Sequence, residues 1–326
     1  MSIPVFLVFD TNVYDGQNYN FKSKIYNAFF DAIKEKDITL LLPVVIDLEV
    51  KRHIKERSKK AEDDILKIEG RYSPIKSWTK WPKKRGILDS WSYEIERLGL
   101  NELQEFYSKF KTVLLDYKDV DLEEIMNWYN SKKSPFGEGS KRKEFPDAIA
   151  VYCVARYAKI NEVVVAFISS DKGIIDACRE YSDLLSFDSL EKYIEATLNG
   201  DSRMGLFREE IDNNEDYIMQ CVCESFIELS FFIESPIDTD PDDIEISGID
   251  FPEISIVAIG DKECTIVIKG SISFDLRFSY NKTYVVGDSR FVVATTKVTF
   301  EDDGSLCEVS KIEFDEELIT VDLSSI

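Results

Sequence analysis

One histidine stands in the 326 residues, His53, and that scarcity excludes much. A His-dependent catalytic triad is hard to build, and so is a zinc site. The six cysteines, at 153, 178, 221, 223, 264 and 307, never form the spaced pairs that zinc needs, and Cys221 with Cys223 makes only a C-x-C. They read as free thiols, buried as small hydrophobes in a reducing compartment. Any metal must then be held by oxygen, which points to Mg²⁺ or Mn²⁺. Long apolar runs are missing too: none approaches the roughly 18 residues a membrane helix requires. No basic stretch precedes an apolar run at the N-terminus, so a cytoplasmic address without a membrane is expected. Repeats are absent, and the acidic turn "DTDPDD" at 238–243 is the sole low-complexity tract.

What is present is a soluble globular composition, 44% hydrophobic and 31% charged, long enough for two domains. The net charge of −22 is unevenly spread. Residues 201–326 hold 9 Lys and Arg against 29 Asp and Glu, which leaves 31 against 33 for residues 1–200. The acidity belongs to the C-terminal part, so it does not argue against a nucleic-acid partner for the first part.

Residues 1–200 alternate strand and helix. Ile3–Phe9, "ITLLLP" at 38–43 and "EVVVAFIS" at 162–169 are continuous apolar runs, as in strands buried on both faces. Helical spacing follows in Phe21–Lys36, Val44 to about Lys60, Pro146–Ala158 and Lys172–Glu180. Such alternation predicts a parallel sheet with helices on both sides. The stretch from about 61 to 145 reads as a helical insertion, since "LDSWSYEIERLGLNELQEFYSKFKTVLL" and "DLEEIMNWYN" both look helical. Beyond about residue 201 the pattern changes. Ile211, Ile218, Val222 and Phe226 fit one amphipathic helix; "SISFDLRFSY" then alternates strictly, with Ile272, Phe274, Leu276, Phe278 and Tyr280 on one face. Asp303 and Gly304 in "VTFEDDGSLCEV" signal a hairpin. The expected organisation is 1–200 as an α/β domain and 201–326 as an acidic α+β domain with a mostly antiparallel sheet.

Four acids fall at comparable places on that first fold. "VFLVFDTNVY" stops an unbroken strand on Asp10, where a turn or helix cap competes with a metal ligand as the reading. Glu49 lies early in the helix after the second strand, Asp147 opens the helix at "EFPDAIA", and Asp171 follows the third strand in "ISSDKG". In an open α/β sheet these positions face the crevice at the carboxyl ends of the strands. Carboxylates gathered there raise one another's pKa unless a cation neutralises them. An oxygen-bound divalent ion can lower the pKa of water and stabilise a phosphate under in-line attack, so phosphodiester hydrolysis is the natural chemistry. Asp47 is the rival of Glu49 on another helical face. Asp176 could join the cluster but reads more simply as a solvated helix acid, Glu144 as a cap, and His53 as a surface residue that shares a face with Glu49.

The motifs "FDTNVY", "PVVIDLEV", "EFPDAIA" and "ISSDKG", in that order, resemble those of the PIN domain nucleases over about residues 1–190. The resemblance implies a three-layer α/β fold and metal-dependent endonucleolytic cleavage, most often of single-stranded RNA. It implies Asp10, Glu49, Asp147 and Asp171 as ligands of Mg²⁺ or Mn²⁺, with Asn12 and Ser170 orienting ligands or phosphate. The long gap between Glu49 and Asp147 resembles the larger bacterial PIN-like proteins with an added domain, which carries a setting in defence or stress response. Residues 51–85 hold 13 Lys and Arg against 5 acids, with Tyr72, Trp78 and Trp81 among them, and 131–143 holds five more cations. Lys51, Arg52, Lys83, Lys84, Arg85, Lys141, Arg142 and Lys143 are therefore expected to line a nucleic-acid channel. The acidic region is expected to meet a protein partner; a non-cleaving adaptor working through it is the competing reading.

Overall fold

The computed structural model describes residues 3–34, 36–71, 90–137, 144–234, 241–280, 282–316 and 318–322. Its contacts divide the chain into two units: residues 1–23 with 35–190, and residues 24–34 with 191–326. The step in charge at residue 200 and the boundary in contacts thus fall at different places.

The first unit is built on five parallel strands, β1 (Phe6–Phe9), β2 (Thr39–Pro43), β3 (Lys111–Leu115), β4 (Val165–Ile168) and β5 (Leu184–Phe187), in the order β3-β2-β1-β4-β5. The central strands are apolar throughout because helices cover both faces: Leu7, Val8, Leu40, Leu41, Ala166 and Phe167 are fully buried. Each large side chain so buried stabilises the unit by about 1.5–3 kcal/mol.

Helix α1 (Thr11–Asp15) follows β1 directly, and α3 (Val44–Arg71) follows β2 without a loop. α3 buries only Ile46, Val50, Ile54 and Ser58, one residue per turn, and its remaining faces are charged. α4 (Trp91–Ser108) starts at the Ser90 cap, whose Oγ accepts from Tyr93 N. It runs antiparallel to α3, with Glu62 holding Trp91 N and Ile54 packed on Gly99. α5 (Leu122–Ser131) is capped by Asp121 and stopped by Lys132 in the left-handed region. α6 (Phe145–Asn161) has Pro146 in its first turn and is buried along much of its length by Ala148, Val151, Val154, Ala155 and Ala158. α7 (Lys172–Cys178) follows β4.

One expectation fails here. The segment expected to be helical through Leu115 ends its helix at Ser108, and Lys111–Leu115 pairs with β2 as the edge strand of the sheet. Its partly exposed pattern, with only Leu115 buried, lacks the apolar run by which the inner strands are recognised.

The second unit holds α2 (Lys24–Ala32), α8 (Leu190–Leu198), α9 (Met204–Asn213), α10 (Glu215–Ile227), β6 (Ser230–Glu234) and the long strands β7 (Asp243–Ile259), β8 (Glu263–Tyr280) and β9 (Lys282–Phe300), then β10 (Leu306–Val309), β11 (Glu313–Phe314) and β12 (Leu318–Asp322). β7 to β10 form an antiparallel sheet in the order β10-β9-β8-β7, and β12 pairs with β6 in parallel. Alternation on β8 buries Ile272, Phe274, Leu276 and Phe278 on one face; the side chain of Tyr280 lies outside the described residues. Phe207 stacks on Phe300 at 4.2 Å, and Phe226 meets Phe231, Phe274 and Phe314. Gly304, at φ +88°, makes the expected hairpin turn between β9 and β10.

Two readings change in this unit. The single helix expected through Ile211 and Phe226 is broken at Asn214, whose Nδ2 bonds the Glu210 carbonyl and competes with the helical ladder. α2, in the first part of the sequence, groups with this unit and sets Phe29 against Tyr193 of α8.

Candidate active site

Asp10 is both a cap and a strand-end acid. Its backbone N–H continues the β1–β4 ladder by donating to Ile168 O at 3.0 Å, and its side chain turns into the first unit, 6% exposed. Oδ1 accepts from Thr11 N at 2.7 Å, the capping bond of α1. Oδ2 accepts from Asn12 Nδ2 at 2.6 Å and from Ser169 Oγ at 2.7 Å. Burial pushes the carboxyl up to about 6; the Ser169 and Thr11 bonds oppose that, while the charges of Asp171 and Glu49 reinforce it.

Asp147, in the first turn of α6, is half-buried, and its carboxyl rises to about 7. Burial is the main cause, and the charges of Asp10, Asp171, Glu49 and Glu144 add to it. The four acids from β1, α3, α6 and the end of β4 are therefore close enough to repel one another. Among the described residues, no three acidic, His or Cys side chains already stand as a ligand group.

Around this centre the strand ends are tied by short polar links. Thr11 Oγ1 donates to Glu49 Oε2 at 3.1 Å, joining the β1 turn to α3. Asn12 Nδ2 also reaches Ser169 Oγ at 3.0 Å, and its Oδ1 accepts from Ser170 N at 3.3 Å. Ser169 Oγ accepts from Asp171 N at 3.0 Å, while Asp171 Oδ1 caps α7 by accepting from Ile174 N. Ser170 is exposed and joins through its backbone. The hydroxyl at the centre of the network is that of Ser169, 1% exposed, which the sequence reading passes over. Its one signal was position: a small polar residue closing an apolar strand one step before the turn.

The other nominated residues take different places. Asp47 pairs with Lys51 at 2.7 Å, and Asp176 pairs with Arg179 at 2.7 Å. His53 bridges two sets of groups, with Nδ1 3.0 Å from Tyr19 Oη and 3.2 Å from Asp15 Oδ2, and Nε2 3.3 Å from Arg52 Nη2 and 3.9 Å from Glu49 Oε1. Arg52 reaches Glu49 Oε1 with Nη2 at 2.7 Å, so a cation already rests on one acid of the group. Tyr72, Trp78, Trp81, Lys83, Lys84, Arg85, Lys141, Arg142 and Lys143 lie outside the described residues. Of the six cysteines expected to be buried, Cys153, Cys178 and Cys264 are, and burial raises the Cys178 and Cys264 thiols to about 12; Cys221 and Cys223 are half-buried and Cys307 is exposed.

The donor set suits a hard divalent cation. It is all oxygen, it comes from four separate elements, and two of its carboxyls carry raised pKa values that a positive ion would reverse. Among the described residues no helix is long and apolar enough to cross a membrane. No curated protein and no solved structure matches the chain. A family model for the PIN domain matches residues 7–174, just over half of the chain and all four acids. The chain belongs to the PIN domain family.

Proposed function

We propose that this protein is an Mg²⁺- or Mn²⁺-dependent endonuclease that hydrolyses phosphodiester bonds in single-stranded RNA, with Asp10, Glu49, Asp147 and Asp171 as its metal-binding acids. Family membership carries a nuclease-type fold, a nucleic-acid substrate and, in most members, divalent metal ions. The observation that supports the finer reading is a raised Asp147 carboxyl, lifted to about 7 first by burial and then by the charges of Asp10, Asp171 and Glu49.

Asp10 would be the fixed ligand, because three hydrogen bonds from Thr11, Asn12 and Ser169 hold its carboxylate in one orientation. Ser169 and Asn12 position; they do not react. Asp147 and Glu49 would complete the shell, Asp147 by giving up the proton that its neighbours favour and Glu49 by exchanging Arg52 for the ion. Asp171, exposed at the cap of α7, would reach it directly or through water. Bound there, the ion would supply an activated water and neutralise charge on the phosphate. Arg52, once released, is placed to meet a phosphate oxygen. The acidic unit, by its charge, would engage a basic protein partner or keep the molecule soluble. A role in bacterial defence or stress and a cytoplasmic location belong to the same proposal.

Cleavage of single-stranded RNA and DNA with Mn²⁺, Mg²⁺ or EDTA tests the proposal. Wild type is expected to cut RNA only with metal, and Asp10→Ala and Asp147→Ala to lose about 100-fold or more. Metal-independent cutting, or full activity in both variants, would refute it.

A further inference from the structure

The face of α3 beside Glu49 carries a second feature. Leu48, Lys51, Arg52 and Lys55 recur at helical spacing and line one wall of a groove of about 480 Å³, whose other wall is α4 with Asn101 and Gln104. Arg52 belongs to both places: it touches Glu49 at 2.7 Å and lines the groove, so the groove is one side chain away from Glu49.

The chemistry of the walls is specific. Leu48 is 54% exposed, a large apolar side chain left in water beside a charged centre. Among the described residues Lys51 is bound only by its own helix, through a pair with Asp47 that leaves the lysine side chain about half exposed. Lys55 has no ion-pair partner among the described residues. Three cations face one lining acid, Glu96. Asn101 and Gln104 are exposed amides, each able to donate and to accept. The volume is that of a small-ligand pocket, enough for a nucleotide and far too narrow for a duplex.

We infer that the groove between α3 and α4 is a subsite for one unpaired nucleotide of the substrate strand, with its phosphate on Lys51 and Lys55, its base against Leu48 and its base edge at Asn101 and Gln104. The inference rests on the nuclease reading and deepens it. It makes the enzyme select unpaired strands, since a base held in a duplex cannot enter, and it gives the amides a part in base preference.

The test uses the full chain in EDTA, so that binding is read without cleavage, with short single-stranded RNA, single-stranded DNA and duplex RNA as probes. Lys51→Glu with Lys55→Glu should weaken single-strand binding about tenfold or more and reduce the slope of log affinity against log salt by about 1.4. These positions are exposed, so an unchanged thermal midpoint is expected to accompany the loss. RNA carrying 4-thiouridine should crosslink to the α4 peptide that holds Asn101 and Gln104. Undiminished binding by the double variant, crosslinks confined to other segments, or competition by polyglutamate equal to that by single-stranded RNA would each overturn the subsite. If wild type cuts RNA with metal while the double variant binds and cuts equally well, the subsite alone fails. If wild type neither binds nor cuts any nucleic acid, both readings fall.

Discussion

The two units use carboxylates in opposite ways. In the second unit acids are numerous and most lie in solvent: Asp302 is 89% exposed and Asp261 fully so, each with at most a surface ion pair. In the first unit a handful of acids is drawn to the ends of β1 and β4 and the starts of α3 and α6, where Asp10 is 6% exposed and Asp147 half-buried. A large net charge thus describes a surface, whereas raised carboxyl pKa values follow from a few acids that the fold buries near one another. Their cores differ in the same sense. The first is a parallel sheet apolar on both faces whose open end gathers polar groups; the second is an antiparallel sheet with an aromatic cluster around Phe226.

That contrast can be broken at its strongest point by Phe226→Ala. Removing a fully buried ring should cost about 3–5 kcal/mol in denaturant unfolding, and the loss should be the same at pH 5 and pH 7.5, because no titrating group depends on it. A loss that changed with pH would couple the second core to ionisation and erase the distinction.

Ser169→Ala attacks the other side. It removes one of the bonds that hold Asp10, so metal affinity or turnover should fall roughly 10- to 100-fold with little change in thermal midpoint. Since the Ser169 bond lowers the Asp10 pKa, its loss should also move the acid limb of the pH–rate profile to higher pH. A profile that stays in place would leave Ser169 as packing only.

Smaller is the pH-dependent stability that Asp10 and Asp147 contribute without metal. Asp10 and Asp147 have folded pKa values of about 6 and about 7, above the ordinary 3.8, so the folded state binds more protons than the unfolded one between those limits. The stability that these two acids contribute should then be fully present below about pH 4 and decline as pH rises to about 7. Asp147→Asn should flatten the decline and, at pH 7.5 in EDTA, add about 1 kcal/mol. A metal-free wild type whose stability rises over that range would contradict the crowding of these acids.

Smallest of all, Asp302→Asn should alter stability by less than about 0.5 kcal/mol and cleavage by less than twofold. A larger effect on cleavage would give the acidic unit a direct part in the chemistry.

Much of the first unit was legible residue by residue. Strands buried on both faces read as unbroken apolar runs, so β1, β2 and β4 stand out, and an acid that halts such a run, as Asp10 does, is conspicuous. β3 is hidden because an edge strand keeps one side in water and its mixed pattern merges with the helix before it. Ser169 was missed beside Ser170 because both are serines at a strand end, and alternation through the last pleat decides which hydroxyl points inward. α2 is plainly amphipathic from its spacing, but an apolar stripe does not name its partner.

The sequence by itself determined which acids end the strands and open the helices, that oxygen and not sulfur or imidazole must hold any metal, and that charge divides between the two parts of the chain. These are properties of residue type and of short-range periodicity. Tertiary structure alone decided that Asp10, Glu49, Asp147 and Asp171 feel one another's charge, that Asp147 rises to about 7, and that Ser169 is the hydroxyl that holds Asp10. Desolvation and Coulomb repulsion depend on distances between residues that lie far apart in the sequence, and those distances exist only after the sheet has closed.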